Sequence, residues 1–459
     1  MENPDFRRYL EEAIGVDNAN IAFSAFNSPA SVSIRYNPFK VKELDNIDGG
    51  TVLWNKYGRL LDVRPSFTLD PLFHAGAYYV QDSSSMFVGY VVRHIIEMEY
   101  KACGRVLKVL DLCAAPGGKT TDVAVALREI LGDDFLLVAN ETLKQRATVL
   151  ADNVAVWGDP NVIVTSVDAS LMASLHGFFD IIIADVPCSG EGMFRKDEEA
   201  VRQWSVSNVE LCYQRQRRIV ADVWPALAEG GVMIYSTCTF NKYENDCNVS
   251  WISRTLGAEY IRLDDLEFEG IINTEYGKSL VPGFVSGEGQ YCAAVRKTIH
   301  SPADKKNTRN SRNLPFVPLK KVYEKLFDRE MVQREGRENI EVIPLAIMKE
   351  ASAFVNVIRP ILCGCNAATV KGKDIVPNAD LALSYCLNRD VFPFVELSLE
   401  QSLAFLHRDT LVFPRYEKGF LVLVYKGLPI GFVKNLGNRC NNLHPISRRI
   451  RMNIDGVLE

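Results

Sequence analysis

Five short runs of apolar residues alternate with polar stretches between positions 104 and 240 of the chain. Each run is rich in Val, Ile, Leu or Phe, and enough residues separate consecutive runs to form helices. Continuous apolar runs of this length are typical of strands buried on both faces of a doubly wound parallel sheet. The pattern therefore predicts an α/β core over residues 98–298, with the strands VLKVLDL, FLLVANE, NVIVTSVD, FFDIIIADV and GGVMIYSTCT.

The segments that flank this core have other patterns. Residues 1–97 predict a mixed α/β extension that begins with a helix, contains strand-like pieces such as SVSIRY and ends in the helical MFVGYVVRHIIEM. Residues 299–315 lack apolar periodicity and are rich in Asn, Ser, Pro and basic residues, which predicts a linker. Residues 316–395 predict an intermediate mixed domain, and the alternating GFLVLVYKGLPIGFVKNLG predicts a small β domain over 396–459.

Composition narrows the class of protein. A chain of 459 residues with 47% hydrophobic residues is long enough for several domains. Its charged N-terminus lacks an apolar signal region, and no stretch reaches the length of about 18 apolar residues that a membrane span needs. We therefore expect a cytoplasmic protein that does not associate with a membrane, and we expect a monomer.

The cysteines and charges add two observations. The 11 cysteines lack the paired spacing of a zinc site, so we expect free thiols and no metal, with Cys363 and Cys365 packed in a core. The net charge of −5 does not mark a nucleic-acid binder. However, residues 429–453 contain no Asp or Glu and include His444 and the basic residues Lys434, Arg439, Arg448, Arg449 and Arg451.

The first predicted strand leads into a glycine-containing turn and a helix. In DLCAAPGGKTT, small residues let a ligand approach the backbone, and the N–H groups at the helix start favour electron-rich ligand atoms. Glu141 ends the next strand, where a carboxylate can accept hydrogen bonds from both hydroxyls of a ribose. Asp168 and Asp185 end the following two strands at the same edge of the sheet. These positions predict a site for a nucleoside-containing cofactor, and the glycine spacing matches neither a dinucleotide fingerprint nor a phosphate-binding loop.

Two cysteines follow the last two predicted strands. Cys188 lies in DVPCSGEGMFRKD and Cys238 in YSTCTF, so the two thiols face one pocket if these strands are neighbours. A thiolate is the reactive nucleophile, and a free cysteine is only slightly ionised near neutral pH. Lys119 or a cationic RNA-binding group is a candidate to favour ionisation. A buried packing role is the alternative for each cysteine, and it is the interpretation preferred for Cys113, Cys212 and Cys247.

These stretches, in this order, resemble the RNA 5-methylcytosine methyltransferases that use S-adenosylmethionine. HAGAYYVQDSSSM and GEGQYCAAVRK support the resemblance. It implies a Rossmann-like methyltransferase core in which the loop Cys113, Ala114, Ala115, Pro116, Gly117, Gly118 and Lys119 holds the cofactor. It further implies that Glu141, Asp168 and Asp185 bind the ribose, adenine and methionine regions of the cofactor.

The resemblance also assigns the chemistry of the thiols. Cys238 corresponds to the nucleophile that adds to C6 of cytosine, which makes C5 able to attack the sulfonium methyl group. Cys188 corresponds to the cysteine that helps to release the product, and Asp185 is expected to hydrogen-bond the edge of the base. The base that removes the C5 proton is left open.

RNA contacts are expected in two places. Arg195 and Lys196 follow the first cysteine, and Arg215, Arg217 and Arg218 lie on the next predicted helix. The acid-free C-terminal stretch resembles the small RNA-binding β domain, of the PUA type, carried by the larger bacterial ribosomal members of the family, with Lys434, Arg439 and Arg448 as contact residues. A merely solvated charged surface is the alternative for each group.

The favoured function is therefore cytosine-C5 methylation of 16S ribosomal RNA. A transfer-RNA enzyme and a DNA cytosine methyltransferase, in which the Pro-Cys thiol is the nucleophile, are rivals within the enzyme class. A non-catalytic RNA-binding factor in ribosome assembly is the alternative outside it.

Overall fold

The computed structural model describes residues 3–42, 49–298, 315–334, 339–372 and 374–454. The predicted linker therefore lies almost wholly outside the described residues. The N-terminal region contains a four-stranded antiparallel sheet in the order β2-β3-β1-β4. Its elements are α1 (Pro4–Ile14), α2 (Val16–Ala25), β1 (Val32–Tyr36), β2 (Thr51–Val52), β3 (Asn55–Leu61), α3 (Pro71–His74), β4 (Tyr78–Val80) and α4 (Met86–Ile95).

The N-terminal elements follow from local sequence signals. Helix α1 begins where the Asn3 side chain accepts hydrogen bonds from the N–H groups of Asp5 and Phe6, with Pro4 in the first helical turn. The helix ends at Gly15, which has a φ of 85°. The buried face of α4 packs against the central parallel sheet, so the N-terminal extension shares a hydrophobic core with the next domain.

The central domain contains the five predicted strands, and its α/β class is confirmed. Its elements are β5 (Leu107–Asp111), α5 (Gly118–Leu131), β6 (Phe135–Asn140), α6 (Lys144–Trp157), β7 (Val162–Thr165), α7 (Ala169–Met172), β8 (Phe179–Asp185), α8 (Glu198–Gln203), α9 (Val206–Val223), β9 (Leu227–Thr237), α10 (Asp246–Leu256), β10 (Ala258–Ile261), β11 (Ile271–Asn273), β12 (Lys278–Leu280) and β13 (Gln290–Lys297).

The order of these strands places the functional residues. The parallel part of the sheet runs β9-β8-β5-β6-β7, so that the chain winds outward in both directions from β5. Ligands of such sheets bind in the crevice at the carboxyl ends of the strands, next to the point where the winding reverses. Here that point lies between β5 and β8, where Asp111 and Asp185 end their strands.

The C-terminal half contains two further antiparallel or mixed sheets. The first region comprises β14 (Phe316–Pro318), α11 (Lys321–Glu324), β15 (Met331–Arg334), β16 (Asn339–Pro344), α12 (Met348–Val355), β17 (Leu362–Cys363), β18 (Cys365–Lys371), β19 (Asp374–Pro377) and α13 (Ala379–Leu383). The second comprises β20 (Phe394–Glu396), α14 (Leu399–His407), β21 (Gly419–Tyr425), β22 (Leu428–Asn435) and β23 (Cys440–Asn442).

The intermediate segment packs closely against the central domain. Strand β17 pairs antiparallel with β7 and so extends the central sheet. Phe316 and Phe354 share a core with Phe179 of β8. Cys363 and Cys365 are buried in cores, as expected from the sequence. Strand β20 begins before the suggested boundary at residue 396, because it pairs with β21 of the C-terminal sheet.

No helix among the described residues is long and apolar enough to cross a membrane.

Candidate active site

The two cysteines meet at the carboxyl ends of β8 and β9. These strands are neighbours, with Asp185 opposite Ser236 in register. The Sγ atoms of Cys188 and Cys238 are 3.2 Å apart, and both residues are half-buried, so the thiols share one partly open crevice. The expected convergence of the two thiols is therefore confirmed, while their chemical roles stay predictions.

The two thiols are not equivalent. A hydrogen bond to Cys238 and burial raise the pKa of Cys188 well above its ordinary value. The raised pKa favours the protonated form of Cys188 in this contact.

Lys119 and Asp185 complete the centre of the crevice. Burial of the Lys119 amine lowers its pKa, but the negative charge and hydrogen bond of Asp185 outweigh burial. Cys238 and Asp111 act in the same direction as Asp185, so the pKa of Lys119 is raised. Lys119 Nζ lies 2.9 Å from Asp185 Oδ2. The other oxygen of Asp185 accepts from Ser236 Oγ at 2.7 Å and from Gln290 Nε2 at 3.1 Å. The carboxylate is thus fixed by three donors, and a persistent ammonium lies beside the thiols.

A pair of buried glutamates holds the two cysteine loops together. Glu191, which lies three residues after Cys188, accepts hydrogen bonds from the backbone N–H groups of Phe240 at 2.6 Å and Asn241 at 3.1 Å. Its other oxygen accepts from Trp204 Nε1 at 2.9 Å and from Asn241 Nδ2 at 2.8 Å. Glu191 therefore links the loop of Cys188 directly to the loop that follows Cys238.

Glu244 makes the reciprocal link. Its carboxylate accepts from Ser189 N at 3.0 Å, from Gln216 Nε2 at 2.7 Å and from Asn241 Nδ2 at 2.8 Å. Burial, together with the charge of Glu191, raises the pKa of Glu244 to about 7. The sequence reasoning missed both glutamates. The only available signal was the presence of acidic residues in the glycine-rich and polar loops next to the cysteines.

The predicted cofactor loop forms the opposite wall of the crevice. Gly117 has a φ of 114°, and a Cβ atom there would lie 3.2 Å from Leu150 Cδ1, so glycine is required at this position. Asn140 ties the loop to neighbouring strand ends by donating to Leu112 O at 3.2 Å and to Val167 O at 3.0 Å. Cys113 is partly buried, and burial raises the pKa of its thiol, so it is an unreactive member of the loop.

Asp111 is a further buried carboxyl beside this loop that sequence reasoning did not single out. Its Oδ2 accepts from Thr120 Oγ1 at 2.6 Å. Its Oδ1 is buried and has no hydrogen-bond partner among the residues that the structure describes. Burial, opposed by the Thr120 hydrogen bond, raises the pKa of Asp111 to about 7.

The other two predicted cofactor residues have local partners. Glu141 directly follows β6, accepts a hydrogen bond from Leu143 N at 3.0 Å and lies 3.0 Å from the guanidinium of Arg146. Asp168 is exposed and caps the short helix α7 by accepting from Ser170 N at 3.0 Å, and this hydrogen bond lowers its pKa. Both lie at the carboxyl ends of their strands, as expected, and their contacts with ribose and adenine stay predictions.

Arg195 and Arg448, two of the basic residues proposed for RNA, form ion pairs inside the protein, whereas Lys196 is exposed near two carboxylates. Their contacts with RNA stay predictions. Arg195 Nε donates to Glu288 Oε2 at 2.7 Å, and only 7% of its side chain is exposed. Lys196 Nζ lies 3.6 Å from Asp82 Oδ2 and 3.7 Å from Glu288 Oε1. Arg448 forms ion pairs with Asp152 at 2.9 Å and Asp380 at 2.7 Å, which join the C-terminal region to the catalytic and intermediate regions.

Other basic residues remain available for a polyanion. Arg439 is exposed, and Lys434 is partly exposed above the ring of Phe420. Neither has an ion-pair partner within the described part of the chain. Arg215 and Arg218 on α9 are exposed, whereas Arg217 donates to Asn248 Oδ1 at 2.8 Å.

Comparison with solved structures supports the fold. A methyltransferase homologue from Pyrococcus horikoshii superposes with a TM-score of 0.52 at 23% identity, covering 64% of this chain and 100% of that protein. NSun6 from Pyrococcus horikoshii with SFG gives a TM-score of 0.51 at 18% identity, covering 65% of this chain and 99% of that protein. At these identities the likeness concerns the fold alone.

Comparison with protein families and curated sequences identifies the family. Three family models match in order: the N-terminal domain of 16S rRNA methyltransferase RsmF over residues 3–83, 16S rRNA methyltransferase RsmB/F over 105–296 and the methyltransferase RsmF PUA domain over 392–450. The ribosomal RNA small subunit methyltransferase F of Pectobacterium atrosepticum is 30% identical, covering 92% of this chain and 90% of that protein. The one of Serratia proteamaculans is 31% identical, covering 84% and 80%. The chain therefore belongs to the 16S rRNA methyltransferase RsmB/F family and is an S-adenosylmethionine-dependent RNA methyltransferase.

Proposed function

We propose that the protein methylates C5 of a cytosine in 16S ribosomal RNA through a covalent adduct between Cys238 and C6 of the base. The observation that carries the proposal is the pair of half-buried sulfur atoms 3.2 Å apart, beside Lys119 and Asp185. The names of the curated relatives favour small-subunit ribosomal RNA over transfer RNA.

The residues around the cofactor loop fit S-adenosylmethionine. Gly117 allows close approach to the backbone, and Asp111 offers an unpartnered buried oxygen beside the loop. Glu141 and Asp168 supply carboxylates at the next two strand ends. The loop from Cys113 to Lys119, together with these carboxylates and Asp185, would hold the cofactor. Its sulfonium supplies an electrophilic methyl group when it is bound.

Each residue of the crevice has a chemical task in this proposal. The ammonium of Lys119 stabilises the thiolate of Cys238, which adds to C6 and makes C5 nucleophilic. Asp185, held in place by its three donors, forms a hydrogen bond with the edge of the base and stabilises the protonated adduct. After methyl transfer to C5, a base takes the C5 proton, and the electrons of the C5–H bond re-form the 5,6 double bond and expel the Cys238 sulfur from C6 as a thiolate. Cys188, the protonated thiol in contact with that sulfur, assists this release.

Variants of the two cysteines test the proposal. Cys238→Ala should abolish both methyl transfer and adduct formation, whereas Cys188→Ala should accumulate a covalent protein–RNA complex on a denaturing gel. Cys247→Ala, which removes a half-buried thiol outside the crevice, is the control and should keep its activity. The reverse result for Cys188 and Cys238 would assign the nucleophile to Cys188, as in DNA cytosine methyltransferases.

The same material separates the remaining alternatives. Labelled S-adenosylmethionine and total RNA should give label in 16S ribosomal RNA, and bisulfite mapping should show a cytosine that becomes unprotected in cells that lack the protein. Label in transfer RNA would support the transfer-RNA alternative. Absence of label from both RNA classes would overturn the proposal.

A further inference from the structure

The cofactor loop is held from outside by side chains that bind its carbonyl groups. Arg146 of α6 donates to Ala115 O at 2.8 Å. Asn153 of α6 donates to Pro116 O at 2.8 Å, and the same carbonyl accepts from the hydroxyl of Tyr79 at 3.0 Å. Tyr79 belongs to β4, so the N-terminal domain takes part in holding the loop.

Arg35 is the second residue of the N-terminal domain that holds the cofactor loop. It lies on β1, and its side chain is completely buried. Its Nη2 donates to Gly118 O at 3.1 Å and to Thr121 Oγ1 at 2.6 Å, in the first turn of α5. Its Nε donates to Gln81 Oε1 at 2.8 Å, so the plane of the guanidinium is fixed.

Burying the charged side chain of Arg35 costs free energy, whereas burying an apolar side chain at the same position would not. Removing a guanidinium from water is unfavourable, and its nearest carboxylate, on Asp122, lies 3.5 Å away. The Trp157 ring lies 4.7 Å from the guanidinium carbon and offsets part of the cost. A buried charge with donors aimed at the start of α5 indicates a role beyond filling the interface.

The direction of these hydrogen bonds has a consequence for the ligand. In a trans peptide unit the C=O and the N–H of the next residue point in opposite directions. Tyr79 and Arg35 hold the carbonyl groups of Pro116 and Gly118 towards the N-terminal domain. The N–H groups of Gly117 and Lys119 therefore point away from that domain. N–H groups presented in this way at a helix start are the donors that an electron-rich ligand group uses.

We propose that Arg35 and Tyr79 are positioning residues that hold the cofactor loop in its binding conformation, so that the N-terminal domain sets the affinity for S-adenosylmethionine. This inference rests on the proposed function of the loop. A loop that is already ordered loses less conformational freedom when the ligand binds, which increases affinity.

Two conservative variants test the inference. Tyr79→Phe removes only the hydroxyl and should raise the dissociation constant for S-adenosylmethionine about fivefold, the worth of one hydrogen bond. Arg35→Lys keeps the charge but loses the planar fork, and it should raise the constant about tenfold. In steady-state assays KM for the cofactor should rise in both variants, while kcat at saturating cofactor stays at the wild-type value.

Lys40→Met is the matched control. Lys40 lies in the same N-terminal domain and donates to Ala75 O at 2.8 Å and Val156 O at 2.7 Å, but it does not contact the cofactor loop. This variant should lose stability in denaturant unfolding and keep the wild-type dissociation constant. Unchanged cofactor affinity in both Tyr79→Phe and Arg35→Lys would overturn the inference. Failure of the wild-type protein to bind S-adenosylmethionine in calorimetry would instead overturn the proposed function on which the inference rests.

Discussion

The two walls of the crevice are held in opposite ways. The cysteine loops point their backbone N–H groups inward, to the carboxylates of Glu191 and Glu244 within the catalytic domain. The cofactor loop points carbonyl groups outward, to donors such as Arg35 and Tyr79 from another domain. The geometry of the thiols is therefore a property of one domain, whereas the cofactor loop depends on two. Changes on one wall should affect chemistry and changes on the other should affect cofactor affinity.

The largest effect should follow from removing the central carboxylate on the cysteine wall. Glu191→Ala leaves the buried N–H groups of Trp204, Phe240 and Asn241 without their acceptor. We expect the free energy of unfolding to fall by about 3 kcal/mol or more, and methyl transfer to be lost. Urea denaturation measures the first quantity. Glu198→Ala is the control, because Glu198 is 90% exposed and its removal should change the free energy by less than about 0.5 kcal/mol.

A methyl group added at Gly192, on the same wall, should move the two thiols apart without removing a polar group. A Cβ atom on Gly192 would lie 2.7 Å from the carbonyl oxygen of Cys238, a backbone atom that has to move. Gly192→Ala should therefore lower the single-turnover rate of methyl transfer about 100-fold, the usual cost of misplacing reacting groups by about 1 Å. Its dissociation constant for S-adenosylmethionine should equal that of the wild type. A parallel loss of cofactor affinity would show that the two walls are not held independently.

Lys434 and Arg439 of the C-terminal domain should affect neither the chemistry of the thiols nor the affinity for the cofactor. Lys434→Ala combined with Arg439→Ala should weaken RNA binding about tenfold and reduce the salt dependence by about two phosphate contacts. Titration of RNA at several salt concentrations measures both. Arg448→Ala is the contrasting variant, because it breaks ion pairs with Asp152 and Asp380 and should mainly lower stability. Unchanged RNA affinity in the double variant would remove these two residues from the RNA surface.

The most gradual effect, spread over several pH units, concerns the buried carboxyl on the cofactor wall. The pKa of Asp111 is raised from 3.8 to about 7, so the folded protein binds more protons than the unfolded chain between these values. The free energy of unfolding should therefore decrease as pH rises through this window, by at most about 1.4 kcal/mol per pH unit for this group. Asp111→Asn should lose this slope, so its stability relative to the wild type improves from pH 5 to pH 8. Equal slopes in thermal or urea unfolding would contradict the raised pKa.

The sequence was informative where neighbouring residues carry the signal. The five apolar runs became the five parallel strands, and the residues that end them lie at one edge of the sheet. Cys188 and Cys238 follow adjacent strands, so their convergence was a consequence of strand order alone. The family resemblance stated from these motifs is confirmed by the family models over three regions.

The sequence was uninformative where a residue's partner is distant along the chain. A basic residue has the same local pattern whether it faces solvent or a carboxylate, so Arg195 and Arg448 could not be told from Arg439. Their partners Glu288 and Asp152 lie 93 and 296 residues away. Glu191 and Glu244 were missed for the same reason, because their role depends on how two loops pack and not on either loop alone.

The short strand β17 has a consequence for how the polypeptide is made. Strand β7 ends the parallel part of the sheet on one side, and the short strand β17 pairs with its outer edge. An uncovered strand edge is a template for pairing with other chains. Until β17 has been synthesised and has paired, the outer edge of β7 is therefore open to pairing with other chains. Pairing of Leu362 and Cys363 with β7 covers this edge, and we expect the pairing to reduce aggregation during folding.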